Sequence, residues 1–134
     1  MTAGLMQIGE AAERVGLSIR TIRHYEEAGL VLPSARSEGG FRLYTEPDLD
    51  RLRVIKRMKP LGFTLDEMRD LLTTLDALSD PAVTGGDRAA LRERLATFHT
   101  AARDRVQALR DQLDMAEGFA RQIEEQIDRY SGDR

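Results

Sequence analysis

Cysteine is absent from this chain of 134 residues. Its absence excludes disulfides, thiolate catalysis and thiolate metal sites. Aromatic residues are scarce, at 5%, while charged residues reach 32%, a balance that leans toward helices and coiled coil. No apolar stretch approaches the length needed to span a bilayer. No basic region followed by an apolar run opens the chain, so no signal peptide is visible. A soluble cytoplasmic protein with no membrane partner is the expectation. The two histidines, His24 and His99, are far apart, and no glycine-rich phosphate loop leads into Lys and Ser/Thr. These absences speak against an enzyme. No catalytic residue, metal site or cofactor is expected.

What is present divides unevenly. Hydrophobic residues, at 41%, suffice for a modest core, and the length suits one small domain with an extension. The net charge is −3, yet residues 1–60 hold ten Arg/Lys against eight Asp/Glu, a net of +2. Residues 61–134 hold ten against fifteen, a net of −5. The run 51–59 carries Arg51, Arg53, Lys56, Arg57 and Lys59 with no acid. A local basic face on an acidic chain is compatible with DNA binding, because affinity follows local phosphate contacts.

The rest of the chain is read around Ser18-Ile19-Arg20-Thr21-Ile22-Arg23-His24-Tyr25. Ser18 is a helix cap, Ile19 and Ile22 face a core, and Arg20, Thr21, Arg23 and His24 form a donor-rich front suited to a major groove. A solvated surface helix would show the same pattern. Before it, Ile8, Ala11, Ala12 and Val15 mark a first helix, with residues 1–5 loose. Gly16 supplies the turn and Leu17 a core plug, which makes a helix-turn-helix. Gly29 ends the second helix with a left-handed cap. Glu38-Gly39-Gly40 then separates two short runs, predicting a β-hairpin with Arg36 and Arg42 on its arms.

Thr45, Pro47 and Asp48 start a third helix with Leu49, Leu52 and Ile55 inward. Pro60-Leu61-Gly62 ends it. Thr64 and Glu67 form a capping box for a fourth helix, followed by Leu65, Met68, Leu71, Leu72 and Leu75 at helical spacing. Residues 87–130 contain no proline and one glycine, Gly118. Their apolar seam includes Leu91, Leu95, Phe98, Ala102, Val106, Leu109, Leu113 and Ala116, with a stutter at Phe98-Ala102-Val106. One continuous helix of that span is roughly 65 Å long. A narrow seam of this kind needs a partner helix, most simply the same helix of a second chain. A fold-back at Gly118 is the alternative.

These residues resemble the MerR family of bacterial transcription regulators. The resemblance is carried by Ile8-Gly9-Glu10-Ala11-Ala12, Thr21-Ile22-Arg23-His24-Tyr25-Glu26, Gly29-Leu30 and Gly39-Gly40-Phe41-Arg42-Leu43-Tyr44. Asp48-Leu49 with Leu52, and Leu61-Gly62-Phe63-Thr64-Leu65-Asp66-Glu67, complete it. It implies a mainly α fold: a winged helix-turn-helix DNA-binding domain with a small hairpin wing, followed by a long antiparallel coiled-coil dimerisation helix. The expected division is a DNA-binding domain over residues 1–75 (helix-turn-helix 7–28, wing 34–44, helices 46–59 and 65–75). A linker over 76–86, a coil over 87–130 and a disordered tail over 131–134 follow.

The resemblance also implies a function. A homodimer would bind a pseudo-palindrome in double-stranded promoter DNA, between elements spaced too far apart for RNA polymerase, and would act by distorting that DNA. Ser18, Arg20, Thr21, Arg23, His24 and Tyr25 fall to the reading helix, with Tyr25 either core or phosphate donor. His24 stands where the family often has tyrosine. Arg36, Gly40, Phe41, Arg42 and Tyr44 fall to the wing, and Arg57 to the basic cluster. Family members that sense metals through cysteines are not a guide to the effector here. A small-molecule effector stays open, as Phe98, Met115, Phe119 and Tyr130 fit either a small pocket or plain coil packing. The competing reading is a protein-interaction module that uses the acidic coil, with DNA binding incidental.

Overall fold

The structure is a computed structural model that describes residues 4–32 and 35–132, without the side chains of Ala35 and Arg36. Its elements are β1 (Met6–Gln7), α1 (Ile8–Val15), α2 (Ile19–Glu27), β2 (Ala35–Arg36) and β3 (Arg42–Tyr44). There follow α3 (Glu46–Met58), a 3₁₀ turn (Lys59–Leu61), α4 (Leu65–Ser79) and α5 (Gly85–Ser131). Residues up to Leu95 form one compact unit, and those from Ala96 onward form a second.

In the first unit, α1 presents Ala11, Ala12 and Val15 to the core. Gly16 takes φ +73, and its N–H and that of Leu17 both reach the Ala12 carbonyl. The left-handed φ is what makes this turn favour glycine; a Cβ there would meet only the movable end of Lys56, 2.8 Å away at Nζ. In α2 the core face is Ile22 and Tyr25. Ile19, expected to face inward, is instead 38% exposed, because as the first residue of α2 it lies at the rim of that face. Gly29, at φ +76, closes the helix, and the Leu30 N–H returns to the Tyr25 carbonyl at 3.0 Å. That arrangement lets Leu30 and Val31 plug the core.

The hairpin has an unexpected third strand. Met6 pairs with Tyr44 and Gln7 with Leu43, while Ala35 pairs with Leu43 and Arg36 with Arg42. The order is β1-β3-β2, with β3 central. Gln7, read as the start of the first helix, instead forms a short strand with Met6. Burying Met6 beside Tyr44 holds it there. At the hairpin tip Ser37 N–H donates to the Phe41 carbonyl at 2.8 Å, and Gly40 turns the chain at φ +80. Ser34, the start of the expected wing, and Pro33 before it lie outside the described residues.

Reciprocal boxes start the next two helices: Thr45 with Asp48, and Thr64 with Glu67. Each such cap contributes about 1 kcal/mol. Leu49, Leu52, Ile55 and Met58 from α3 meet Met68 and Leu72 from α4 in the core. Burying each large side chain contributes roughly 1.5–3 kcal/mol. The third helix stops at Met58 rather than residue 59, since Lys59 enters the 3₁₀ turn that Gly62 terminates at φ +81. The expected linker over 76–86 shrinks to residues 80–84, because α4 continues to Ser79 and α5 begins at Gly85. Arg88 explains the short connection: it donates to the carbonyls of Leu78 at 2.8 Å and Val83 at 3.0 Å. The second unit is the remainder of α5, which runs unbroken through Gly118 to Ser131. It does not fold back, and Ser131 is helical rather than tail. Asp133 and Arg134 lie outside the described residues. Among the described residues, no helix is long and apolar enough to cross a membrane.

Candidate nucleic-acid interface

The outer face of α2 carries Arg20, Arg23 and His24, all exposed, beside Glu27 in an open recess. Among the described residues, neither arginine holds an ion pair or a hydrogen bond. No ion pair among the described residues neutralises their charge, which leaves it available to a phosphate or a base edge. Ser18 is occupied differently. Its Oγ accepts from the Thr21 N–H at 3.0 Å and donates to Thr21 Oγ1 at 2.8 Å. Ser18 is therefore the cap expected of it, and it stays exposed at the start of α2. Thr21 keeps its own hydroxyl proton for an outside acceptor.

Two assigned residues are core. Tyr25 is 2% exposed and Tyr44 is fully buried. Tyr25 follows Ile22 by three on the inner face of α2, and Tyr44 lies against Met6 on β1. Both hydroxyls are buried and have no hydrogen-bond partner among the described residues. Burial pushes the Tyr25 phenol above its usual 10.0 by penalising the charged form. Its ring tilts 48° against that of His24, with centroids 5.6 Å apart.

The wing stands beside α2. Phe41 is 63% exposed at the hairpin tip, its ring lying over Gly39. Arg42 Nε donates to Glu26 Oε2 at 2.8 Å, so the wing arginine grips the last turn of α2. Between the two elements lies a cleft of about 200 Å³ lined by Gln7, Ile8, Arg23, Gly40, Phe41 and Arg42. Thus the fold brings Arg23 together with Gly40, Phe41 and Arg42. The side chain of Arg36 lies outside the described residues.

The basic run of α3 does not act as one patch. Arg51 reaches the Leu30 carbonyl and Asp76, and Lys56 Nζ donates to the Val15 carbonyl at 2.9 Å. Arg53 pairs with Asp50. Arg57 and Lys59 alone of the five are exposed and, among the described residues, without a partner. The cluster is therefore corrected to these two.

On α5, Leu91 and Leu95 in the first unit are half-buried. In the second unit Phe98, Ala102 and Val106 are half-buried, whereas Leu109, Leu113 and Ala116 are exposed. Phe119, Ile123, Ile127 and Tyr130 continue that exposure toward the helix end.

Sequence reading missed Glu26, Gln7 and Arg69. Arg69 of α4 donates to the Ala28 carbonyl at the end of α2. A signal for Glu26 did exist, since an acid in the last turn of a DNA-facing helix opposes both the helix dipole and the phosphates.

Comparison with known proteins gives consistent results. The family description "MerR HTH family regulatory protein" matches residues 6–75, and "MerR, DNA binding" matches residues 49–116. The mercuric resistance operon regulatory protein of Bacillus cereus is 47% identical over 70 residues, covering 52% of this chain and 53% of that protein. The HTH-type transcriptional regulator CueR of Vibrio cholerae is 36% identical over 129 residues, covering 96% of this chain and 84% of that one. The matched segment thus spans about half the length of the first relative and most of the second. A crystal structure of HiNmlR, a MerR family regulator lacking the sensor domain and bound to promoter DNA, superposes with a TM-score of 0.66. It has 24% identity and covers 85% of this chain and 79% of that one, a likeness of fold.

Proposed function

This chain belongs to the MerR family of helix-turn-helix regulatory proteins, and from that premise we propose that it is a DNA-binding transcriptional regulator. It binds a pseudo-palindromic promoter spacer in double-stranded DNA as a homodimer, and it changes transcription by RNA polymerase by distorting that DNA. The observation that carries this reading is the unneutralised pair Arg20 and Arg23 on α2, set beside Phe41 and Arg42 of the wing. Arg20, Arg23, Thr21 and His24 face the bases, and Phe41, Arg42, Arg57 and Lys59 face the backbone. The metals and operons in the relatives' names stay with those proteins. Cysteine-free, this chain reads any effector by other chemistry.

The homodimer is supported by the apolar residues that α5 leaves exposed. Leu109, Leu113, Phe119, Ile123, Ile127 and Tyr130 are all large and all exposed, and a seam of that kind is stable only against a second helix. The same exposure, on the acidic half of the chain, favours the second reading, in which α5 captures a different protein.

Selection from a random duplex pool tests the proposal. The regulator reading expects enrichment of one sequence with two inverted halves, and footprinting that covers both. Enrichment of no sequence by a folded dimer would give precedence to the interaction reading.

A further inference from the structure

We propose that Glu26 is a positioning residue for DNA binding: its carboxylate, buried on α2, holds Arg42 of β3 and so fixes the wing relative to the base-reading face. The inference rests on the DNA-binding reading above. The Glu26 side chain is 7% exposed, and that of Arg42 is 40% exposed. A carboxylate withdrawn from water to that extent needs a cationic partner to offset its desolvation. The cation recorded against it is not a helix neighbour but Arg42 of β3. Glu26 sits in the last turn of α2, where the helix dipole disfavours negative charge, and it shares a helix with the DNA-facing Arg20 and Arg23. Its partner comes from the other DNA-facing element.

The geometry leaves Arg42 with two roles. Its Nε is engaged by Glu26 at 2.8 Å. The remainder of the guanidinium borders the cleft shared with Arg23, Gly40 and Phe41. Arg42 is thereby held in one orientation before DNA arrives, which lowers the entropy lost on contact. β3 is anchored at its base by pairing with β1 and by buried Tyr44, but β2 and β3 are only two and three residues long, so the Arg42 contact adds a tie between the hairpin and α2. Through Arg42, Glu26 sets how far the wing stands from the major-groove helix without touching DNA itself.

The proposal makes a prediction opposite in sign to simple electrostatics. Removing an acid from a DNA-facing surface should strengthen binding to a polyanion. Removing this one should weaken it. The experiment uses the full chain as wild type, Glu26→Gln, Arg42→Gln and the double variant, each titrated with the duplex selected by the wild type and with a random duplex. The amides of Gly39 and Gly40 are followed in parallel by ¹⁵N relaxation without DNA. Glu26→Gln is expected to bind the selected duplex on the order of tenfold more weakly, the effect of losing one charge-assisted hydrogen bond. The double variant should bind no worse than Arg42→Gln alone. Gly39 and Gly40 should become more mobile in either single variant. Equal or tighter binding by Glu26→Gln, or losses that add in the double variant, would overturn the proposal. Should Glu26→Gln fail to fold, Arg42→Gln, altered on the more exposed partner, decides: mobile tip amides support the latch and rigid ones sink it. A wild type that selects no duplex removes the regulator reading, whereas the relaxation data still report on the latch.

Discussion

Arg51 donates from Nε and Nη2 to the backbone carbonyl of Leu30, at 3.3 and 3.0 Å. The carbonyl belongs to the chain just beyond α2, and the same guanidinium reaches Asp76 of α4 at 2.5 Å. An arginine that reads as part of a DNA-facing basic run is thus spent on fixing the exit of α2.

The first prediction separates arginines that hold the fold from those that meet DNA. Arg51→Ala should lower stability by about 1–2 kcal/mol by leaving a part-buried carbonyl without its partner. It should leave the salt dependence of DNA binding unchanged. Arg57→Ala should do the reverse: an unaltered denaturation midpoint, and a salt dependence flatter by about 0.9 in log–log slope for the lost phosphate contact. Titrations at several salt concentrations, with denaturant melts, check both. A flattened slope for Arg51→Ala would put that residue at the interface.

The second concerns sequence specificity. Arg20 and Arg23 are exposed on α2 and, among the described residues, unpaired, so at least one should read a base edge. Replacing it by Ala should cost roughly 1–3 kcal/mol and relax preference at one position in each half-site. Binding to a panel of single-base operator variants measures this. Equal losses on specific and random DNA for both variants would make them phosphate contacts.

The third follows from Tyr25. Its folded-state pKa is raised by burial above the unfolded value near 10.0, so the neutral phenol is the form the fold favours. The stability linked to that proton is fully present below pH 10 and is lost as pH rises through the folded value. Melts from pH 8 to 11 should show the wild type losing stability relative to Tyr25→Phe above pH 10, and the two running parallel below it. Parallel curves across the whole range would mean that the phenol reaches water.

Much of this fold is legible because its signals are local. Thr45 with Asp48, Thr64 with Glu67, and Ser18 before an apolar spacing each specify a helix start through atoms three residues apart. Gly16, Gly29 and Gly40 mark turns by the φ they adopt. What escaped depends on distant parts of the chain. Met6–Gln7 is too short a strand to show alternation, and only its partner β3 makes it one. The destinations of Arg51, Lys56 and Arg69 are backbone carbonyls 21, 41 and 41 residues away, beyond any spacing rule. Tyr25 was ambiguous because tyrosine suits both a core and a phosphate, Tyr44 was placed with the wing, and packing puts both in the core. The site was legible as a face, Arg20 to His24 with the wing, but not as a mechanism for holding that face together.

The last prediction places dimerisation on α5. Leu109→Asp would set a charge in the exposed apolar stripe that a second helix should cover. The expected result is a monomer in sedimentation, with the first unit still folded and operator affinity sharply reduced, since one subunit offers a single half-site contact. A variant that remained dimeric with full affinity would assign the stripe to another protein.

The three-stranded sheet has a consequence for how the chain acquires its shape. Its outer strand joins Met6 to Tyr44, partners 38 positions apart, whereas the α1–α2 turn closes over only a few. Loop-closure entropy rises with the distance bridged, so local helix pairs tend to form ahead of distant strand pairs. The β2–β3 hairpin is itself local, pairing Arg36 with Arg42, so the ordering expected is the two-helix unit and the hairpin first, with β1 joining β3 later. The β1–β3 edge then belongs to the part of the domain that folds last and opens most readily in the native state. Amide exchange should accordingly find weak protection in the β1–β3 pairing, next to α1, whose own amides exchange slowly.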